Sequence, residues 1–164
     1  MAKPTVYLET TVVSYLTAWP SRDLVMAAHQ QITHEWWNNV RGGFDLFISQ
    51  PVLDEAGAGD ADAAERRLQV LSPLPLLEVT PEAVRLAQEL INRTPMPPKA
   101  AIDALHVAVA AVHGMDYLMT WNCKHIANAV TRPVVEALCR AQGYRPPVTC
   151  TPEELIGGAA DVGR

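Results

Sequence analysis

Several common protein classes are ruled out by what the chain lacks. It has three cysteines, Cys123, Cys139 and Cys150, an odd number with no CxxC among them. Neither a zinc pattern nor a disulfide framework follows, which favours a reducing cytoplasm. The longest apolar run, Ala104 to Val112, is interrupted by His106 and is far too short to cross a bilayer. The opening Met1-Ala2-Lys3-Pro4 leads into an apolar stretch that already contains Tyr7 and Glu9, too short and too polar for a signal peptide. A soluble protein with no membrane segment is expected. There is no glycine-rich phosphate loop, which argues against nucleotide and dinucleotide binding. Repeats, linkers and low-complexity segments are also missing. Positive charge is in deficit: the formal net charge is −5. That excludes a domain that holds nucleic acid by a broad basic face. It does not exclude a nuclease, because a bound divalent ion and a few local Lys or Arg can contact phosphate.

What is present suits one domain. The chain has 164 residues, of which 49% are apolar, enough for a core without staples. Residues 1–156 are read as a single domain and 157–164 as a frayed tail. Thr5-Val6-Tyr7-Leu8 is rich in β-formers and predicts a short buried strand. Thr10-Thr11 is placed to cap a helix carrying Val12, Val13, Tyr15 and Leu16. A second helix is expected from about Arg22 to Val40, with Val25, Ala28, Ile32, Trp36 and Val40 on one stripe. Phe44 to Ser49 reads as the second strand, Pro51 to Glu55 as a short helix, and Asp60 to Leu71 as a helix with its charges outward. A third strand is expected over Leu76 to Val79. Thr80-Pro81-Glu82 opens a helix that ends near Arg93. Thr94 to Pro98 holds three prolines and reads as a loop. Ala100 to His113 is apolar nearly all round and predicts a buried helix. Tyr117 to Thr120 is the fourth strand, followed by a helix from about His125 that restarts after Pro133 and reaches Gln142. Val148-Thr149-Cys150 closes the series as a short strand. Strands alternating with helices call for an α/β fold of three layers: a central parallel sheet of four or five strands with helices on both faces. Strand one is expected to be central, with its end beside that of strand four.

In such a sheet the active site lies outside the carboxyl ends of the strands. Glu9 follows strand one, Glu55 comes shortly after strand two, and Asn122 follows strand four. Asp103 stands on the first turn of the most apolar helix, where an unpaired carboxylate costs several kcal/mol unless it is paired or binds a metal. The plainer reading is an acid welcomed by a helix N-terminus. Oxygen ligands converging at strand ends suit a hard divalent cation, Mg²⁺ or Mn²⁺. Such an ion polarises phosphate and lowers the pKa of a bound water.

The set of segments Val6-Tyr7-Leu8-Glu9-Thr10-Thr11, Val52-Leu53-Asp54-Glu55, Asp103-Ala104-Leu105-His106-Val107-Ala108 and Leu118-Met119-Thr120-Trp121-Asn122 resembles the PIN-domain family. Within it, the VapC-like toxins of toxin–antitoxin pairs are the nearest match in pattern. The likeness runs in order over about residues 4 to 150. It implies a three-layer PIN-like fold and a metal-dependent ribonuclease, with acidic ligands at Glu9, Glu55 and Asp103, a fourth site position at Asn122, and Mg²⁺ or Mn²⁺ as the ion. It also implies a hydroxyl from Thr10 or Thr11 supporting the first acid. The partners implied are an RNA substrate and a small antitoxin, and a homodimer is expected. Two positions depart from the family's pattern: Glu9 stands where Asp is usual, and neutral Asn122 replaces the last acid. Both argue for one tightly held ion rather than two.

Two other classes stay in view. A PIN-like module that binds RNA or a protein without cutting is consistent with Glu9 and Asn122. A receiver-type signalling domain would need an Asp at the end of strand three, where Leu76-Leu77-Glu78-Val79-Thr80 offers none. His106, one turn from Asp103, is read as a satisfied core histidine or a group that orients Asp103. Arg22, Lys99, Lys124 and His125 stand near the strand ends, within reach of a phosphate. Trp36 and Trp37 cannot face the same way, so one of them suits a dimer contact. Arg66 and Arg67 read as a solvated helix face.

Overall fold

The structure is a computed structural model that describes the backbone of residues 2–161 and the side chains through Ile156. Five parallel strands form one sheet: β1 (Thr5–Leu8), β2 (Asp45–Ser49), β3 (Leu76–Leu77), β4 (Tyr117–Met119) and β5 (Val148–Cys150), in the order β3-β2-β1-β4-β5. Strand one is central, as the βα alternation requires. Val6, Tyr7 and Leu8 are all buried, the mark of a strand covered on both faces rather than one.

The connections are helical: α1 (Thr10–Thr17), α2 (Leu24–Asn39), α3 (Gln50–Ala56), α4 (Ala61–Leu71), α5 (Pro81–Arg93), α6 (Ala101–Val112), α7 (Arg132–Ala141) and α8 (Pro152–Asp161). Helices α1, α2, α4 and α8 form one packed group, and α5, α6 and α7 another. Local chemistry sets the helix starts. Asp23, Asp60 and Thr80 each accept a backbone N–H of the first turn of α2, α4 and α5. Helix α1 differs from expectation: its cap is Glu9, not a threonine.

Three boundaries also differ. Strand β3 is only two residues long, because Thr80 already caps α5 and Pro75 precedes the strand. The segment expected to be helical from His125 is a series of turns, and helix begins only at Arg132. Asn122 and Asn128 hold those turns: their side-chain oxygens accept from His125 N, and from Val130 N and Thr131 N, respectively. At the C-terminus the backbone stays helical past Gly157 as far as Asp161, where a frayed tail was expected; residues 162–164 lie outside the described residues. Pro152 opens that helix with Glu153 and Glu154 in its first turn, a favoured start. Among the described residues no helix is long and apolar enough to cross a membrane.

Candidate metal centre

From β1 the chain moves to β2 and β3 on one side of the sheet, then returns to β4 and β5 on the other. The reversal leaves a crevice between the carboxyl ends of β1 and β4, the usual ligand position in an open parallel sheet. Glu9 and Thr120 each follow one of these strands and meet there: the Thr120 hydroxyl donates to Glu9 Oε1 at 2.6 Å, and Glu9 N donates to Met119 O at 3.1 Å.

Glu9 is only 2% exposed. Besides Thr120, the Thr11 hydroxyl and backbone N–H also donate to its carboxylate. Burial pushes the Glu9 carboxyl up from the ordinary value, and the neighbouring His106 together with those hydrogen bonds counters it only in part. A buried carboxylate that joins no ion pair among the described residues is a candidate cation ligand. Thr11 also accepts from Trp121 N at 2.8 Å, which ties the turn after β4 to the start of α1. Trp121 is anchored in turn by its indole N–H on Thr33 Oγ1 and by a 4.1 Å stack on His29.

Glu55, near the end of α3, lies at the exposed mouth of the crevice. Its Oε1 accepts from the Thr10 hydroxyl at 2.7 Å and from His106 Nε2 at 2.6 Å. Burial alone would raise this carboxyl, but the hydrogen bonds from His106 and Thr10 outweigh it and hold it below the ordinary value. The two threonines therefore divide their work: Thr11 supports Glu9, and Thr10 supports Glu55.

His106 is fully buried on α6. It does not bond Asp103. Its Nδ1 meets the Tyr7 phenol at 2.6 Å, and the phenol meets Ser49 Oγ at 2.6 Å, so a continuous chain of hydrogen bonds runs from Ser49 to Glu55. Burial pushes the Tyr7 phenol well above its ordinary range, so it keeps its proton. One ligand-capable atom from each of Glu9, Glu55 and His106 lies within 4.8 Å of the others.

Asp103 and Asn122 stand differently. Asp103 Oδ2 is 3.0 Å from His125 Nδ1, and Asp103 does not join the close group of Glu9, Glu55 and His106. The Asn122 carbonyl accepts from His125 N, and Asn122 N donates to Thr120 Oγ1. Sequence reasoning omitted Tyr7, Ser49 and Thr120 from the site. The available signal was His106 itself: a polar ring in an otherwise apolar helix must find partners among the polar groups of the elements packed against it. Arg66 and Arg67 are not merely solvated. Arg67 donates to Ala56 O and Ala58 O, and Arg66 reaches Thr17 O and lies 5.1 Å from the Trp19 ring. Trp36 is buried, while Trp37 is half-buried beneath the Arg41 guanidinium.

No curated protein sequence matches the chain. Solved structures with the same fold include the VapBC2 complex of Rickettsia felis bound to a promoter DNA fragment. It is 18% identical, covers 73% of this chain and 89% of that one, and has a TM-score of 0.52. A second is the sarcin–ricin-loop-cleaving toxin VapC20 of Mycobacterium tuberculosis, also 18% identical, covering 85% of this chain and 95% of that one, with a TM-score of 0.56. The PIN domain profile matches residues 6–124, which hold every site residue named above except His125. By that match, with which the five-stranded parallel architecture agrees, the chain belongs to the PIN domain family.

Proposed function

We propose that the chain is a metal-dependent endoribonuclease and the toxin of a toxin–antitoxin pair. The observation that carries this is Glu9: a carboxylate buried where β1 ends, in no ion pair among the described residues, with Glu55 and His106 within 4.8 Å of it. Membership of the PIN family and the likeness to two VapC-type structures support the reading.

The residues fit a hard divalent cation. Glu9 and Glu55 offer carboxylate oxygens from two elements, and their supporting hydroxyls leave lone pairs over. When bound, Mg²⁺ or Mn²⁺ would polarise a phosphate oxygen and lower the pKa of a bound water. Thr11 and Thr120 fix Glu9, while Thr10 and His106 fix Glu55, so neither carboxylate must reorganise much on binding. Asp103, on α6 and held by His125, is the third acid of the proposed set and would have to leave that partner to reach an ion. Asn122 adds no charge, which favours one tightly held ion. Exposed Lys99 and Lys124 are candidate sources of positive charge for the RNA backbone.

The partners follow from charge. With a net charge of −5 and an acidic crevice, the chain suits a small antitoxin that lays Arg or Lys over the carboxylates. We also propose a homodimer and a cytoplasmic site of action, the latter supported by three free cysteines. One observation favours the alternative of a binding module without cleavage: Asp103 and Asn122 are both engaged by His125.

The test is cleavage of structured and unstructured RNAs with Mg²⁺, Mn²⁺ or EDTA. Metal-dependent cutting that EDTA stops supports the enzyme. RNA binding with no cutting under any metal would replace it with the binding module. Gel filtration, with co-purification of the neighbouring gene's product, tests the dimer and the antitoxin.

A further inference from the structure

The chain of hydrogen bonds behind Glu55 has a consequence beyond the acidic set. Distance alone would make His106 a third ligand, since its ring nitrogen lies within 4.8 Å of ligand atoms of Glu9 and Glu55. Hydrogen-bond chemistry says otherwise. An ionised carboxylate only accepts, so the 2.6 Å contact to Glu55 Oε1 requires the hydrogen on His106 Nε2. A nitrogen that carries a hydrogen has no lone pair for a metal. The other ring nitrogen is turned away, 2.6 Å from the Tyr7 phenol, which Ser49 holds from behind. Tyr7, Ser49 and His106 are each fully buried, so the ring has no water to turn towards.

We propose that His106 is a positioning residue, not a ligand: Tyr7 and Ser49 fix its ring so that Nε2–H holds Glu55 in place for the ion. The inference rests on the metal-dependent reading above. It assigns Tyr7, Ser49 and His106 a shared role: one carboxylate of the site is pre-oriented by a strand residue, a strand-end hydroxyl and a helix residue from three separate elements. Outer-sphere partners of this kind typically contribute on the order of 10- to 100-fold in metal affinity.

The experiment is Mn²⁺ binding to the whole chain by calorimetry, joined to electron spin-echo spectroscopy of the bound Mn²⁺. His106→Gln carries an amide nitrogen near the position of Nε2 and can still donate to Glu55. His106→Asn is too short to do so. The expected result is near-native Mn²⁺ affinity in His106→Gln and a loss of roughly 10-fold or more in His106→Asn. Tyr7→Phe should fall between them. Wild-type Mn²⁺ should show no directly coordinated imidazole nitrogen. A metal-free measurement guards against misfolded variants: ring ¹⁵N spectra of the wild type should place the hydrogen on Nε2, and Tyr7→Phe should perturb Nδ1. A strong nitrogen coupling to Mn²⁺, or equal collapse of affinity in both His106 variants, would make His106 a ligand and overturn the proposal while leaving the metal reading intact. Absence of Mn²⁺ binding by the wild type would overturn both.

Discussion

Asp103 and His125 are brought together from two segments, one on the first turn of α6 and the other in the turns after β4, and are joined by a 3.0 Å contact between Oδ2 and Nδ1. Each is about five-sixths buried, with side-chain exposures of 17%. The pair explains how a carboxylate is tolerated at the start of so apolar a helix: it has a partner. If Asp103 is a ligand as proposed, binding of an ion competes with His125 for it.

Two outcomes follow for this pair. Asp103→Asn should leave the fold intact, because a neutral amide is cheaper to bury than a charge. It should lower metal-dependent RNA cleavage by more than about 100-fold, beyond the usual loss from an outer-sphere change, and abolish growth inhibition on expression. Full activity of the purified variant would remove Asp103 from the site. His125→Ala should free Asp103 and tighten Mn²⁺ binding several-fold in calorimetry. Weaker Mn²⁺ binding in that variant would mean that His125 orients Asp103 for the ion instead of competing with it.

Asn122→Asp tests the fourth position. The carbonyl of Asn122 already accepts from His125 N, and an aspartate oxygen can accept the same bond, so the turn should survive. A full charge added close to the crevice should tighten Mn²⁺ binding roughly tenfold, equivalent to about 1.4 kcal/mol. An unchanged Mn²⁺ affinity would confine Asn122 to the role of turn cap.

Much of this arrangement was legible before any coordinates. The alternation of short β-rich runs with amphipathic helices pointed to a parallel sheet, and the strand-end rule put Glu9 beside the residues that follow β4. What the one-dimensional pattern does not encode is which way a buried polar side chain turns. His106, one helical turn from Asp103, reads from the sequence as a satisfied core histidine or as a group that orients Asp103; it is the former, but its partners were not legible. In the fold the ring faces β1 and α3, where Tyr7 and Glu55 lie 99 and 51 residues away in sequence. The turns over 123–131 were misread for a related reason. Helix propensity in that stretch is overridden by Asn122 and Asn128, whose side chains satisfy backbone N–H groups that a helix would otherwise use. Val148-Thr149-Cys150, which reads as a closing short strand, is β5 with the same bounds.

Glu9→Gln separates stability from function. The fold raises the Glu9 carboxyl chiefly by burying it, so without metal the charged form is the disfavoured one. An amide oxygen can still accept from the Thr11 and Thr120 hydroxyls, and the amide carries no charge to desolvate, which offsets loss of the weaker 3.2 Å bond from Thr11 N. The metal-free variant should melt at or above the wild type; a gain of about 1 kcal/mol would appear as roughly 2–4 °C in a chain of this size. It should also lose the rise in melting temperature that Mn²⁺ gives the wild type. A variant that melts well below the wild type in EDTA would show that the Glu9 charge is already compensated within the protein.

Asp116 offers a test of pH dependence away from the acidic crevice. Its carboxylate accepts from Thr5 N at 2.9 Å, from the Thr5 hydroxyl at 3.2 Å and from Arg145 at 3.2 Å, clamping the start of β1 to the start of β4. The Thr5 backbone bond leads in holding this carboxyl below its ordinary value, with Arg145 helping, against a smaller opposing effect of burial. A carboxyl depressed in the folded state contributes stability that is fully present above its unfolded pKa, near pH 4, and is lost as pH falls through the lower folded value. With Asp116 and Arg145 38% and 67% exposed, solvent screening keeps the ion pair itself small, and the backbone bond dominates. Denaturant titrations between pH 2 and 7 should therefore show Asp116→Asn less stable than the wild type at neutral pH, with the gap closing below about pH 4. A gap that stays constant down to pH 2 would mean that Asp116 acts through its shape and packing rather than its charge.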